Sequence, residues 1–251
     1  MRYRQAIKAI ALSFIIYQLS YSPTRAQNPS WVKKASQAVF TLKTFDKDNL
    51  LIGSTNGFFV NSNGDAISSY VPFKGAQRAV IIDAQGKEWP VDCIIGANDM
   101  YDVAKFKVDI KKAQALTIAT TKAEQGVTVW LMPYAAKKQP VGRKGVENQS
   151  EIFQTDYAYY TLDMQPDELQ TGSPILNEQG EAIGILQPTA DVKANQSYAV
   201  SALFASTMQM SGLGMNSAAM KATGIKKALP DDIQQAQVAL FMRASPLDAL
   251  E

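Results

Sequence analysis

Leu169-Gln170-Thr171-Gly172-Ser173-Pro174-Ile175-Leu176-Asn177, continued by Glu178-Gln179-Gly180-Glu181-Ala182-Ile183-Gly184-Ile185-Leu186, reads as turn, strand, turn, strand. Pro174–Asn177 is a short apolar run, and Ala182–Leu186 answers it across the turn Glu178-Gln179-Gly180-Glu181. Glycine and asparagine tolerate the positive φ that a tight reversal needs, so this is a hairpin with a mechanism behind it.

The same grammar repeats on either side. Ala38–Phe45 (AVFTLKTF) alternates and is rich in β-branched and aromatic residues, and Leu50–Val60 resumes after the turn residues Asp46–Asn49. Asn61-Ser62-Asn63-Gly64 is a second strong hairpin signal, followed by a strand over Asp65–Tyr70. Arg78–Asp83 and Glu88–Ile95 flank Ala84-Gln85-Gly86-Lys87. Val103–Val108, Gly126–Met132 and Ser150–Tyr160 complete the expected set. Short strands at regular spacing between such turns predict a sandwich or barrel. Ser30–Ser36 reads as a short amphipathic opening segment, and Lys111–Ala123 as a link between two halves. Asp231–Met242 (DDIQQAQVALFM) follows Pro230 and starts with acidic residues, so an amphipathic helix is expected there, either capping the body or meeting a partner.

The first residues read as a targeting device. Arg2, Arg4 and Lys8 precede the apolar run Ala9–Tyr17, and Thr24-Arg25-Ala26 offers a small residue before a cut. This is the pattern of a secretory signal, with an apolar run shorter than the ~20 residues that span a bilayer. The remaining 225 or so residues suffice for one large domain or two small barrels.

Composition narrows the chemistry. A formal net charge of +2 argues against a nucleic-acid protein. Lys137, Lys138, Arg143 and Lys144 form a local basic cluster of the kind that solvated loops carry. Cys93 is the only cysteine. It excludes an internal disulfide and a cysteine-based metal site, and within Val91–Ile95 it reads as a small buried hydrophobe. Above all, the chain has no histidine. That removes the usual general base near neutral pH and the commonest metal ligand. Ser-His-Asp and Cys-His machinery are therefore unavailable within the chain, and no metal or cofactor is expected.

Three segments, in order, resemble chymotrypsin-fold serine proteases, above all the bacterial periplasmic type related to the high-temperature-requirement proteases. Gly53-Ser54 through Gly57-Phe58-Phe59-Val60-Asn61-Ser62-Asn63-Gly64-Asp65-Ala66-Ile67-Ser68-Ser69-Tyr70 resembles the family's approach to its histidine. Asn98-Asp99-Met100-Tyr101-Asp102-Val103-Ala104 resembles the segment carrying the aspartate. Leu169–Ile185 resembles the nucleophile loop and its hairpin, and Tyr198-Ala199-Val200 resembles a strand near the family's C-terminal end. The resemblance implies an all-β fold of two packed antiparallel six-stranded β-barrels, chymotrypsin-like. The corresponding division is signal 1–26, N-terminal barrel 27–118, C-terminal barrel 119–212 and a helical C-terminal extension 213–251.

Carried over position by position, the family's histidine falls on Val71, its aspartate on Asp102 and its nucleophile on Thr171. Valine has no proton acceptor, and Pro72 after it fixes φ and lacks a backbone donor. Asp102 keeps the family residue but not the partner, and a turn-capping role stands beside the inherited one. Threonine keeps a hydroxyl, which needs a base to become a useful nucleophile. The resemblance puts the oxyanion-holding amides at Leu169 and Thr171, where the family's usual glycine is leucine. It puts the peptide-binding edge at Gln187-Pro188-Thr189, open to strand addition in principle although Pro188 has no N–H.

Three functions follow as expectations. The first is a protease homologue without hydrolytic activity that binds peptides or proteins in the bacterial envelope, periplasmic or outer-envelope associated. The second is an unorthodox trypsin-like peptidase using Thr171 with a lysine, or with a histidine from another chain. The third is a subunit docked permanently in a larger assembly through its C-terminal helix. Export with cleavage after Ala26 predicts that N-terminal sequencing of the envelope form begins at Gln27.

Overall fold

The computed structural model describes residues 29–134, 141–144, 146–152, 157–164, 168–188, 197–211 and 223–226. The expected signal 1–26, the helix expected over Asp231–Met242, Thr189, Lys137 and Lys138 lie outside the described residues.

The first unit is a closed six-stranded barrel in the order β1-β2-β3-β6-β5-β4. Its strands are β1 (Val39–Phe45), β2 (Leu51–Phe59), β3 (Asp65–Ser68), β4 (Arg78–Ile82), β5 (Glu88–Asn98) and β6 (Val103–Val108). Closure comes from β1, which pairs with β2 on one side and β4 on the other. All neighbours are antiparallel; hairpins join β1 to β2, β2 to β3, β4 to β5 and β5 to β6, while residues 69–77 carry the chain from β3 to β4, which do not pair. The β2–β3 turn is built as its sequence predicts. The Asn61 side-chain oxygen accepts from the Asn63 and Asp65 N–H groups. Gly64 takes φ +92°, and a Cβ there would run into the Val108 carbonyl oxygen. Inside the barrel Phe40, Leu42, Phe59, Phe73, Ile81, Ile94 and Phe106 form one buried cluster. Cys93 is buried as expected; burial and the neighbouring Asp92 push its thiol up to about 11.

The second unit is a seven-stranded sheet in the order β8-β7-β11-β12-β13-β10-β9. Its strands are β7 (Thr128–Leu131), β8 (Val141–Lys144), β9 (Val146–Ile152), β10 (Tyr157–Leu162), β11 (Pro174–Leu176), β12 (Ala182–Leu186) and β13 (Ser197–Ser201). It is a half-barrel rather than a second closed barrel of six strands. Its edge strands β8 and β9 are separated by one residue of chain, so the sheet curls until its two ends are covalent neighbours. One expected strand, Ser150–Tyr160, is two: β9 and β10 pair antiparallel, with Tyr157 opposite Ile152. The intervening Phe153-Gln154-Thr155-Asp156 has no glycine or proline to mark a reversal.

The two sheets share a core. Phe58, Ile67 and Val103 of the barrel meet Leu176, Ile185 and Val200 of the half-barrel in one buried cluster. A helix absent from the sequence reading completes it: α2, Ala202–Ser211, follows directly on β13 and contributes Phe204, Ala205 and Met208. Its Ser206 carbonyl accepts a 2.7 Å bond from the buried Lys105 amine of β6. The helix escaped notice because Ala202-Leu203-Phe204-Ala205 is apolar without a polar face, and amphipathic periodicity is the main helix signal. The opening helix α1, Val32–Ala35, leads into β1 but leans on the half-barrel. There Trp31 packs edge-on against Trp130 and its indole N–H donates to the Glu178 carbonyl at 2.8 Å.

Phe106 is fully buried and packs against Phe40 and Phe73, with ring centroids 6.1 and 5.2 Å away. Truncating such a side chain loses its transfer energy and leaves a cavity. Phe106→Ala is expected to lower stability by ~3–5 kcal/mol, read as a lower urea midpoint.

Candidate active site

The site lies where β2 crosses from one sheet toward the other. The inner half of β2 is buried although it carries Thr55 and Asn56, and buried polar groups require partners. The partners come from the loop Thr171–Ser173. The Thr171 carbonyl accepts from the Asn56 N–H at 2.8 Å and from the Thr55 hydroxyl at 2.5 Å. The Asn56 side-chain amide donates to the Ser173 hydroxyl at 2.8 Å. Between them Gly172 takes φ +80°, and a Cβ there would run into the Asn56 carbonyl oxygen. That is the constraint behind the glycine: neither the conformation nor the space admits a side chain.

Gly172 also abuts Ser68, whose hydroxyl donates to the same Asn56 carbonyl. Ser68 ends β3, and three residues later comes Val71, the first residue of a 3₁₀ turn Val71–Phe73 where strand was expected to Tyr70. Pro72 at the turn's second position suits this local geometry, since its missing N–H is one the first turn leaves without an intrahelical partner. The Thr171 loop therefore meets Asn56 and Ser68, and Val71 follows Ser68 by three residues.

Asp102 joins them. Its carboxylate accepts from the Val71 N–H at 2.6 Å, the Tyr70 N–H at 2.8 Å and the Ser69 hydroxyl at 2.5 Å. Asp102 sits at φ +47°, one of two non-glycine residues with positive φ among those described; short polar side chains occupy that region far more readily than others. Burial pushes its carboxyl above the ordinary range, while the bonds from Ser69, Val71 and Tyr70 and the Lys74 charge pull it partly back. Lys74 itself pairs with Asp99 at 2.5 Å. Tyr70 is fully buried, and its hydroxyl is pushed up to about 12, first by burial and then by Asp99 and Asp102.

The other positions fall as follows. Val71 is half exposed, with no proton acceptor on its side chain. Thr171 is partly buried, and among the described residues no side chain hydrogen-bonds to its hydroxyl. Leu169 is exposed within the 3₁₀ segment Glu168–Gln170 and does not adopt positive φ. A 3₁₀ turn directs N–H groups to carbonyls three residues earlier, unlike an amide pair left open to an oxyanion. Gln187 is buried and its N–H donates to the Tyr198 carbonyl of β13 at 2.8 Å. Pro188 is exposed and offers only a carbonyl. Among the described residues no three histidine, cysteine or acidic side chains group as a metal site. Sequence reasoning overlooked Thr55, Asn56, Ser68 and Ser69. The available signal was a polar Ser-Thr-Asn run entering an otherwise apolar strand.

Because burial favours the protonated form of Asp102, its stabilisation is full below the unfolded carboxylate pKa of ~4. It is lost as pH rises through the raised folded value. Asp102→Asn removes that titration and is expected to flatten the stability profile above pH 4. Asp102→Ala strands three donors and forces alanine into positive φ, so a loss of ~2–4 kcal/mol is expected at pH 7. Urea denaturation across pH checks both.

A profile of the family described as trypsin-like peptidase domain matches residues 55–185, just over half of the chain. No curated protein matches. The matched span opens at Thr55, where β2 grips the nucleophile loop, and closes in β12 at the end of the hairpin. With a closed six-stranded barrel and a curled half-barrel meeting at that loop, the chain belongs to the trypsin-like peptidase domain family.

Proposed function

We propose that this member of the family does not hydrolyse peptide bonds and instead holds a peptide or protein partner in the bacterial envelope. One observation carries the reading. At the position of the family's base, Val71 presents a backbone N–H to Asp102, and Ser69 and Tyr70 supply the other donors. The carboxylate is satisfied with no imidazole beside it.

Magnitude supports the same reading. A triad hydrolase stripped of its members keeps only ~10³–10⁴ over water, from oxyanion stabilisation and binding. The chain has no histidine, and Leu169 lies in a 3₁₀ segment without positive φ. A lysine base would need to reach the Thr171 hydroxyl, and no lysine among the described residues is bonded to it. Lys105, whose pKa burial lowers, is committed to Ser206 on α2. The fold keeps two sheets that meet at the Thr171 carbonyl, and Pro188, exposed two residues past β12, has only a carbonyl to offer an extended chain. Export through the expected signal and the envelope location belong to this proposal. Among the described residues no helix is long and apolar enough to cross a membrane.

Incubation of the full chain with a quenched-fluorescence peptide library is expected to give no turnover above that of Thr171→Ala. Efficient cleavage that Thr171→Ala abolishes would overturn the proposal.

A further inference from the structure

After β6 the chain turns past the β4–β5 hairpin toward the β2–β3 turn. The Asp109 N–H donates to the Pro90 carbonyl at 3.1 Å, and the Ala113 N–H to the Ser62 carbonyl at 3.0 Å. Between this run and the residues that follow β4 lie two hollows, of about 720 and 300 Å³. They share Asp83, Gln85, Ile110 and Lys112, so they adjoin. Their size falls in the ~300–1,000 Å³ range of small-ligand sites. None of Val71, Asp102 and Thr171 lines either one.

The wall common to both hollows is held firmly. Asp83 is 7% exposed, and a buried carboxylate needs donors. Its Oδ1 accepts the Gln85 and Lys87 N–H groups, both at 2.9 Å, and its Oδ2 accepts the Trp89 indole N–H at 2.7 Å. The Asp83 carbonyl accepts the Tyr134 hydroxyl at 3.1 Å, which ties this wall to the residues after β7. Trp89, in the lining of the larger hollow, is thus fixed through its N–H, and the Lys87 ammonium lies 3.6 Å from its ring centroid. With that N–H engaged, the indole has only ring carbon to offer a ligand. Ile110 in both hollows and Phe59 in the smaller add apolar surface.

Charge and hydrogen-bonding capacity select the ligand. The larger hollow holds two acids, Asp83 and Asp109, against Lys111 and Lys112, and the smaller holds Asp83 against Lys112. An ion of either sign gains little from so balanced a lining. The side-chain amides of Gln37, Gln85 and Gln114 also line the depression, and among the described residues none of them is hydrogen-bonded. Each amide both donates and accepts, as does each hydroxyl of a sugar, while the C–H face of a sugar ring matches an indole. A peptide adding as a strand needs an open sheet edge, and the first barrel is closed.

We propose that this depression binds a neutral saccharide, with Trp89 as its platform and Gln37, Gln85 and Gln114 as partners for hydroxyl groups. The site needs nothing from Thr171 and stands whether or not the chain cleaves peptides.

The chain has three tryptophans, Trp31, Trp89 and Trp130, so its indole N–H groups give three signals in a nitrogen–proton correlation spectrum, and Trp89→Phe assigns one. The full chain is titrated with tetrasaccharides of glucose, mannose and N-acetylglucosamine, and separately with polyphosphate and an end-capped tetra-alanine. At least one tetrasaccharide is expected to shift the Trp89 signal to saturation while the other two hold still. Gln85→Ala with Gln114→Ala changes two exposed side chains and should weaken that binding at least ~tenfold. No saturable shift with any tetrasaccharide overturns the proposal, as does a response to polyphosphate or the peptide alone. Equal movement of all three signals, or undiminished affinity in the double variant, overturns it too.

Discussion

The Thr171 carbonyl is the point on which the architecture turns. It receives two donors from β2, the Asn56 N–H and the Thr55 hydroxyl, across 115 and 116 residues of sequence. Around it the Asn56 side chain reaches Ser173, and Ser68 reaches the Asn56 carbonyl. Every one of these groups is buried or nearly so, and a buried donor left without its partner costs ~1–3 kcal/mol. The clasp thereby holds barrel and half-barrel in one relative placement. Gly172 is what lets the two backbones approach closely enough to make it.

Asp102 shows how a buried carboxylate is held by the donors of one short segment. The carboxylate faces Val71 through the backbone N–H of that residue. Three donors hold it in a buried site that would otherwise reject its charge. The residue thus works as a brace: it ties Ser69–Val71, just after β3, to the residue that precedes β6.

Apolar packing reinforces the clasp. α2 lies where both sheets contribute side chains, and Lys105 reaches from β6 to its Ser206 carbonyl. Removing an amine from water is costly unless a good acceptor receives it, so this contact adds direction to an interface otherwise made of non-directional contacts. Leu169 and Met100 stand in contrast to this closed interior, the two most exposed of the large apolar side chains among the described residues.

The barrel strands were legible in the sequence because alternation and turn chemistry act over a few residues. Val103–Val108 and Ala182–Leu186 begin and end where their apolar runs do, and the Asn61–Gly64 turn is built on its own Asn61 side chain and Gly64. The absence of histidine, and with it the limits on proton transfer, is likewise a property of composition alone. Other features belonged to the tertiary structure. The hidden reversal between β9 and β10, the helix α2, the curl of the second sheet and the donors gathered on Asp102 and Thr171 all depend on contacts between distant segments. Local propensity carries no information about which distant backbone will arrive. A buried polar run such as Ser54-Thr55-Asn56 announces that partners exist, and only the folded chain names them.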